Sequence, residues 1–366
     1  VDTSGGAIFD PEVVRERYLA ERDKRLVPSR EAIADLDTDP RLIGWRTDPF
    51  TPRRDRSPET REVEVAILGA GIAGLSTGAR LREAGVEDLC LIDAAGGVGG
   101  TWYWNRYPGV MCDVESYLYL PLLEEMGTIP SARYASGPEI LAHLEAIAER
   151  YELTKGALFH TEVIDATWQE DLGRWRIRTD RGDEILARYY VLAVGILNLL
   201  KLPDLDGMEH FVDRSFHSAR WNYALTGGAP GEKLDQLRDK SVAVIGNGAS
   251  GIQTVRHLGD AAREVFVFQR TPSAIGVRDN EPTPSDFSDN LVPGWQRDRM
   301  DNFQAIMMGK KTETDLVHDG WTQHYARVQH PPRTKDMSMK EYLRGGEELD
   351  FEVMEEHRRR IDTVVA

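Results

Sequence analysis

Two six-residue stretches carry the clearest chemistry. Gly69-Ala70-Gly71-Ile72-Ala73-Gly74 and Gly246-Asn247-Gly248-Ala249-Ser250-Gly251 both read GxGxxG. In such a turn the first glycine makes the bend, the second lets a pyrophosphate approach the backbone, and the third lets helix and strand pack closely. The helix that follows offers free N–H groups and a positive dipole end to phosphates. The two stretches differ 24 positions on. Asp93 follows the first, and its carboxylate can accept hydrogen bonds from ribose hydroxyls. Arg270 follows the second, where a carboxylate would repel a 2′-phosphate and a guanidinium can grip it in a forked geometry. Thr271 adds a hydroxyl. The first turn suits a ribose diol and the second a 2′-phosphorylated nucleotide, so FAD and NADPH are the simplest pair. The plainer reading of Arg270 is a solvated surface charge.

A third stretch, GGVGGTWYWNRYPGVMCDVES, runs from Gly96 to Ser116. Glycines crowd against Trp102, Tyr103, Trp104 and Tyr107, followed by Cys112, Asp113 and Glu115. Taken alone it is either a turn that approaches a ligand or a glycine-rich bend that feeds an aromatic core cluster.

The elements that must position these residues are legible around them. VEVAIL (63–68) is a short apolar run of the buried parallel-strand kind, and DLCLID (88–93) is a second. A helix through Leu75, Ala79 and Leu81 lies between them, completing a βαβ unit. SVAVIGNGASG opens another. Ser136 is an N-cap, with Pro138 in the first turn, for a helix to about Tyr151. Short strands alternate from Leu158 to Val194, with turns near 170–173 and 181–182, and VLAVG (191–195) is a buried strand. Residues 1–60 read as an extension: a charged helix over 13–26, then a Pro-, Asp- and Arg-rich arm. Beyond Asp279 the chain is polar and mostly helical. The expected fold class is α/β with two Rossmann-like dinucleotide-binding domains. The expected division is an arm over 1–60, the first part of an FAD domain over 61–207, and an NADPH domain with a helical region over 208–366.

Composition narrows the function. The 366 residues carry a net charge of −16, which argues against a nucleic-acid or anionic-membrane binder. Cys90 and Cys112 make neither a disulfide framework nor a zinc site, and no metal site is expected. No charged-then-apolar leader opens the chain and no apolar run approaches membrane-spanning length, so a reducing, cytoplasmic location is the default.

The two fingerprints, the TWYWNRYPG segment and FVDRSFHSARWN between them resemble the Baeyer–Villiger flavoprotein monooxygenases. The linker motif of that family is FxGxxxHxxxW followed by Pro or Asp. Phe211, His217 and Trp221 stand at its spacing, while Asp213 replaces the glycine and Asn222 the last position. The tryptophan favours this family over the related N- and S-oxygenating flavoproteins. The resemblance covers about residues 60–365, and the arm resembles that of the subgroup acting on bulky or polycyclic ketones.

The resemblance implies a reaction in which NADPH reduces FAD, the reduced flavin and O2 give a C4a-peroxyflavin, and a ketone becomes an ester or lactone. For FAD it implies Gly69, Gly71, Gly74, Asp93, Gly100, Thr101, Trp102, Tyr103, Trp104, Asp113, Tyr119 and Val163. For NADP it implies Met111, Cys112, Asp113, Gly246, Asn247, Gly248, Ala249, Ser250, Gly251, Gln253, Arg270 and Thr271. Plain core packing explains Tyr119 and Val163 equally well. Asp113 is expected to orient a charge-stabilising arginine that lies, in the family, beyond the region matched here. Arg358, Arg359 and Arg360 match the helix before it. His217 is expected to be structural. A C-terminally truncated sequence follows as an expectation, with an incomplete FAD domain and a complementing C-terminal segment as a partner. Two alternatives stand beside it: an N- or S-oxygenating flavoprotein, and a non-catalytic FAD/NADPH-binding fragment. No CxxC follows the first fingerprint, which disfavours a disulfide reductase.

Overall fold

A computed structural model describes residues 10–26, 43–197, 199–203, 205–270, 273, 275–276, 278–328 and 334–365. The apolar run at Val63 is the centre of a strand, Thr60–Leu68 (β1), whose inner residues Ala66 and Ile67 are fully buried. Leu89–Ile92 (β2) pairs with it in parallel, Val65 opposite Leu89 and Leu68 opposite Ile92. Val163–Gln169 (β3), Arg174–Thr179 (β4) and Glu184–Leu192 (β5) continue the sheet in the order β2-β1-β5-β4-β3. β5 is parallel to β1, while β3, β4 and β5 form an antiparallel meander. Parallel neighbours need a crossover, and β1 and β2 are joined by the helix Ile72–Glu83 (α2). Val63, Ala66, Cys90, Ile92, Leu158, Ile177, Ile185 and Ala187 form one buried cluster across this sheet.

Between β2 and β3 lie three one-turn helices, Thr101–Trp104 (α3), Ser116–Tyr119 (α4) and Leu123–Met126 (α5), then Gly137–Arg150 (α6). Ser136 caps α6 by accepting from the Glu139 N–H, as its sequence predicts. Ile140, Leu144 and Ile147, at helical spacing, are fully buried.

Residues 43–59 of the arm are tied to the meander by arginines. Both terminal guanidinium nitrogens of Arg56 donate to the carboxylate of Asp183 at 2.6 Å, and Arg53 donates to Asp180 at 2.8 Å. Burial pushes the Asp183 carboxyl up, but hydrogen bonds from Arg56, Thr179 and the Glu59 N–H overrule it and hold it well below the usual range.

After Tyr223–Thr226 (α7), the second βαβ unit consists of Ser241–Ile245 (β6), Ala249–Ala261 (α8) and Glu264–Phe268 (β7), with the two strands parallel. The α/β class and the paired Rossmann-like units expected from the sequence are present, the second as a two-stranded sheet. Pro11–Arg25 (α1), Trp295–Met307 (α9), Gly320–Val328 (α10) and Met339–Val365 (α11) are helical. The chain divides into two compact units. One holds α1 with residues 275–279 and 294–365, in which Arg15 pairs with Glu347 and Arg344 with Glu12. The other holds residues 43–273 and 280–293, including both fingerprints. No described helix is long and apolar enough to cross a membrane.

Candidate functional site

The first fingerprint sits where β1 ends and α2 begins. Gly69 has φ +106, and a Cβ there would lie 2.3 Å from the Ala193 carbonyl oxygen. A Cβ on Gly74 would lie 1.8 Å from the Gly69 carbonyl oxygen, so the helix packs onto the turn only without a side chain. Gly71 is the N-cap of α2 and no side chain satisfies that helix end. Asp93 braces the turn: its carboxylate accepts from the Ala70 N–H at 2.6 Å and the Ala95 N–H at 2.8 Å, while burial raises its pKa.

The aromatic stretch lies directly against this turn. The Gly99 N–H donates to the Ala70 carbonyl, and a Cβ on Gly100 (φ +53) would lie 2.7 Å from Gly71 Cα. Thr101 is exposed, whereas Trp102, Tyr103 and Trp104 are buried. Trp102 Nε1 donates to the Tyr119 hydroxyl at 3.0 Å, and burial pushes that phenol up to about 12. The Tyr103 hydroxyl donates to Asp48 at 2.6 Å and lies 2.8 Å from the Thr51 hydroxyl. Arg220 lies 3.6 Å over the Trp104 ring, and burial lowers its guanidinium pKa to about 10.

The following residues separate by exposure. Met111 is half-buried, Cys112 is buried and Asp113 is exposed. Glu115 is buried, 3.7 Å from Arg133. Val163 opens β3 and packs on the sheet cluster, while nearby Thr161 donates its N–H to the Asp93 carbonyl.

The second fingerprint repeats the first in backbone form. Gly246 has φ +102, Gly248 is the N-cap of α8 without a side-chain cap, and a Cβ on Gly251 would lie 2.5 Å from the Gly246 carbonyl oxygen. Ala249 and Ser250 open α8. Asn247 Nδ2 donates to Gln269 Oε1 at 2.8 Å, and the Ser273 hydroxyl donates to the Asn247 carbonyl at 2.6 Å. Arg270 is exposed just beyond β7, and Thr271 lies outside the described residues. Gln253 lies in the second turn of α8. Its side-chain amide faces the first unit, accepting from the Tyr107 hydroxyl and donating to the Met111 carbonyl.

In the linker, His217 Nδ1 accepts from the Ala219 N–H at 3.0 Å and caps the short turn Ser218–Arg220; burial lowers its pKa. Trp221 is buried and donates to the Thr226 hydroxyl at 3.1 Å, while the Phe211 ring is exposed. Cys90 and Cys112 are buried and in no disulfide, and no metal-holding cluster occurs among the described residues.

Known proteins share this arrangement. A family model for the NAD(P)-binding Rossmann-like domain matches residues 67–126. Pentalenolactone D synthase of Streptomyces exfoliatus is 50% identical over 96% of this chain and 60% of its own length. Baeyer-Villiger monooxygenase 4 of Dietzia sp. is 40% identical over 98% of this chain and 59% of its own. By sequence the chain is similar to Baeyer–Villiger monooxygenases over nearly its whole length. The structure of a polycyclic ketone monooxygenase from Thermothelomyces thermophila superposes with a TM-score of 0.86 at 36% identity, over 96% of this chain and 61% of that one. The chain spans about 60% of the length of the curated relatives it matches.

The aromatic stretch is gripped by residues that sequence reasoning missed. Asp48, Phe50 and Thr51 come from the arm: Asp48 also accepts from the Gly96 N–H, and Phe50 meets Tyr103 edge-on at 5.9 Å. Arg106 lies 4.3 Å over Phe50 and 4.6 Å over Tyr103. From the linker, Arg220 covers Trp104 and the Tyr223 hydroxyl donates to the Arg106 carbonyl at 2.6 Å. Asp48 has no local signature, since 55 positions separate it from Tyr103. Arg220, immediately before the motif tryptophan, was within reach of the linker pattern.

Proposed function

We propose that this chain carries the FAD- and NADPH-binding part of a monooxygenase that converts ketones, in the bulky or polycyclic class, to esters or lactones. The observation that carries the reading is the pair of uncapped helix starts on glycine turns, each with its first glycine at positive φ and its third glycine pressed onto the first, one of them backed by the aromatic wall at 102–104. The fit to a dinucleotide is physical. Gly69, Gly71, Gly74 and Gly100 clear the backbone, and α2 presents free N–H groups to a pyrophosphate.

Bound FAD and NADPH would supply electron transfer and oxygen activation. The protein's share is to bind, orient and exclude water. Asp93, fixed by the turn it braces, is assigned to the ribose of FAD. Trp102, Tyr103, Trp104 and Tyr119 are assigned to the flavin wall, with Thr101 at its rim and Val163 at the adenosine end. The Asn247–Gly251 turn is assigned to the NADP phosphates, with Arg270 and Thr271 for the 2′-phosphate. Met111 and Cys112 lie on the segment that joins the two turns. Asp113 is assigned to orient a charge-stabilising arginine lying outside these residues, and a complementing C-terminal segment is the partner that would bring it. His217 and Trp221 hold the linker. Ketone and O2 are the substrates, and a reducing cytoplasmic setting suits two cysteines held in no disulfide.

The test is the visible spectrum of the purified chain with FAD, before and after NADPH is added without oxygen. The reading expects a protein-bound flavin band that bleaches with NADPH. A chain that retains no flavin overturns it.

A further inference from the structure

We propose that Gln253 is a positioning residue that clamps the second nucleotide unit against the wall of the first. It is not a ligand of the nicotinamide nucleotide, the role its place in the fingerprint helix suggests. Gln253 lies in the second turn of α8, and both ends of its amide are committed to the first unit. Oε1 accepts from the Tyr107 hydroxyl at 3.0 Å and Nε2 donates to the Met111 carbonyl at 3.1 Å. The opposite polarities of these partners fix the amide's orientation.

Neighbours on the same helix face extend the contact. Ser250, one turn earlier, lies beside the Tyr107 hydroxyl and acts on it electrostatically. His257, one turn later, lies on Gly109, where a Cβ would come 2.2 Å from its Nε2. Gly109 has φ +74, so the chain both turns and is overlaid there. Residues 250, 253 and 257 share one stripe of an α-helix. That stripe runs along 107–111, the continuation of the aromatic segment. Tyr107 is buried, and burial raises its pKa, so its hydroxyl stays protonated as the donor this geometry needs.

The inference rests on the reading that the two turns hold FAD and NADPH. Electron transfer between two separately bound cofactors depends on their approach, and an error of about 1 Å can cost roughly a hundredfold in rate. A helix that carries one cofactor's turn, pinned through a side-chain amide to the other cofactor's wall, sets that approach.

The experiment compares the full chain with Gln253→Leu, Tyr107→Phe and the double variant. Loaded with FAD, Gln253→Leu should keep its flavin and its NADP+ Kd within about twofold. Bleaching by saturating NADPH should slow by about tenfold or more, while dithionite reduces the flavin as in the parent. A tenfold rise in the NADP+ Kd with an unchanged saturating rate makes Gln253 a nucleotide ligand and overturns the clamp. An unchanged rate and Kd overturn it too.

Melting of the unliganded chains gives an independent readout. The double variant should lose less than the sum of the two single losses, because the two substitutions share the Tyr107–Gln253 contact. Additive shifts overturn the clamp. If the parent chain retains no flavin, the cofactor reading fails and the melting cycle still decides the clamp.

Discussion

The two glycine turns are nearly the same object locally and different objects globally. Gly69 and Gly246 take φ +106 and +102, each opens a helix with no side-chain cap, and each is overlaid by the third glycine of its motif. Around the first, the Ala193 carbonyl oxygen just past β5 comes within 2.3 Å of where a Gly69 Cβ would stand; among the described residues nothing comes within 4 Å of a Cβ on Gly246. Ile67 and Ile92 of the first unit are fully buried, whereas Ile245 and Phe268 of the second are 63% and 59% exposed. Six residues therefore suffice to shape the glycine turn, and the surrounding sheet decides how closely that turn is packed.

Four experiments sharpen or break this contrast. The largest effect belongs to the first glycines. Gly69→Ala combines a disfavoured φ with a backbone collision and should cost about 4 kcal/mol or more, whereas Gly246→Ala carries the φ strain alone and should cost about 1–3 kcal/mol. Chemical denaturation followed by circular dichroism measures both, and equal losses would erase the distinction.

Next come the strand ends. Ile92→Ala should destabilise by about 2–5 kcal/mol. Ile245→Ala, exposed, should stay below about 1 kcal/mol. A large Ile245 effect in the same denaturation series would show that the second sheet is covered in solution.

The third experiment is a pH titration of stability. Asp183 has a folded-state pKa below its unfolded value of 3.8. The native state therefore binds fewer protons there, and the stability that Asp183 adds is complete above that value. It is lost as pH falls from near 3.8 towards the lower folded value. Asp183→Asn should flatten the acid limb of melting temperature against pH, and an unchanged limb would remove Arg56–Asp183 as the arm's anchor.

The smallest effect is on selectivity. Arg270→Ala should leave melting unchanged and weaken NADPH about tenfold more than NADH. Equal losses for the two cofactors would return Arg270 to an ordinary surface charge.

Much of this was legible along the chain. The buried strands around Ile67 and Leu91, the turn glycines, the Ser136 cap and the turns of the meander all follow from neighbours a few positions apart. They obey the period of two or 3.6, the φ needs of glycine and the geometry of a helix start. The linker spacing of His217 and Trp221 and the acid-versus-arginine difference between the turns were readable for the same reason. What only the tertiary structure decided is which side chains meet across long separations. Asp48 and Phe50 closing on Tyr103, Arg220 lying on Trp104, and Gln253 turning to Tyr107 leave no periodic trace, because each contact is set by how whole elements pack. Burial was also decided there. Asp113 and Glu115 look alike in sequence, yet one is exposed and the other pairs with Arg133, since a buried carboxylate needs a partner that only the folded chain can deliver.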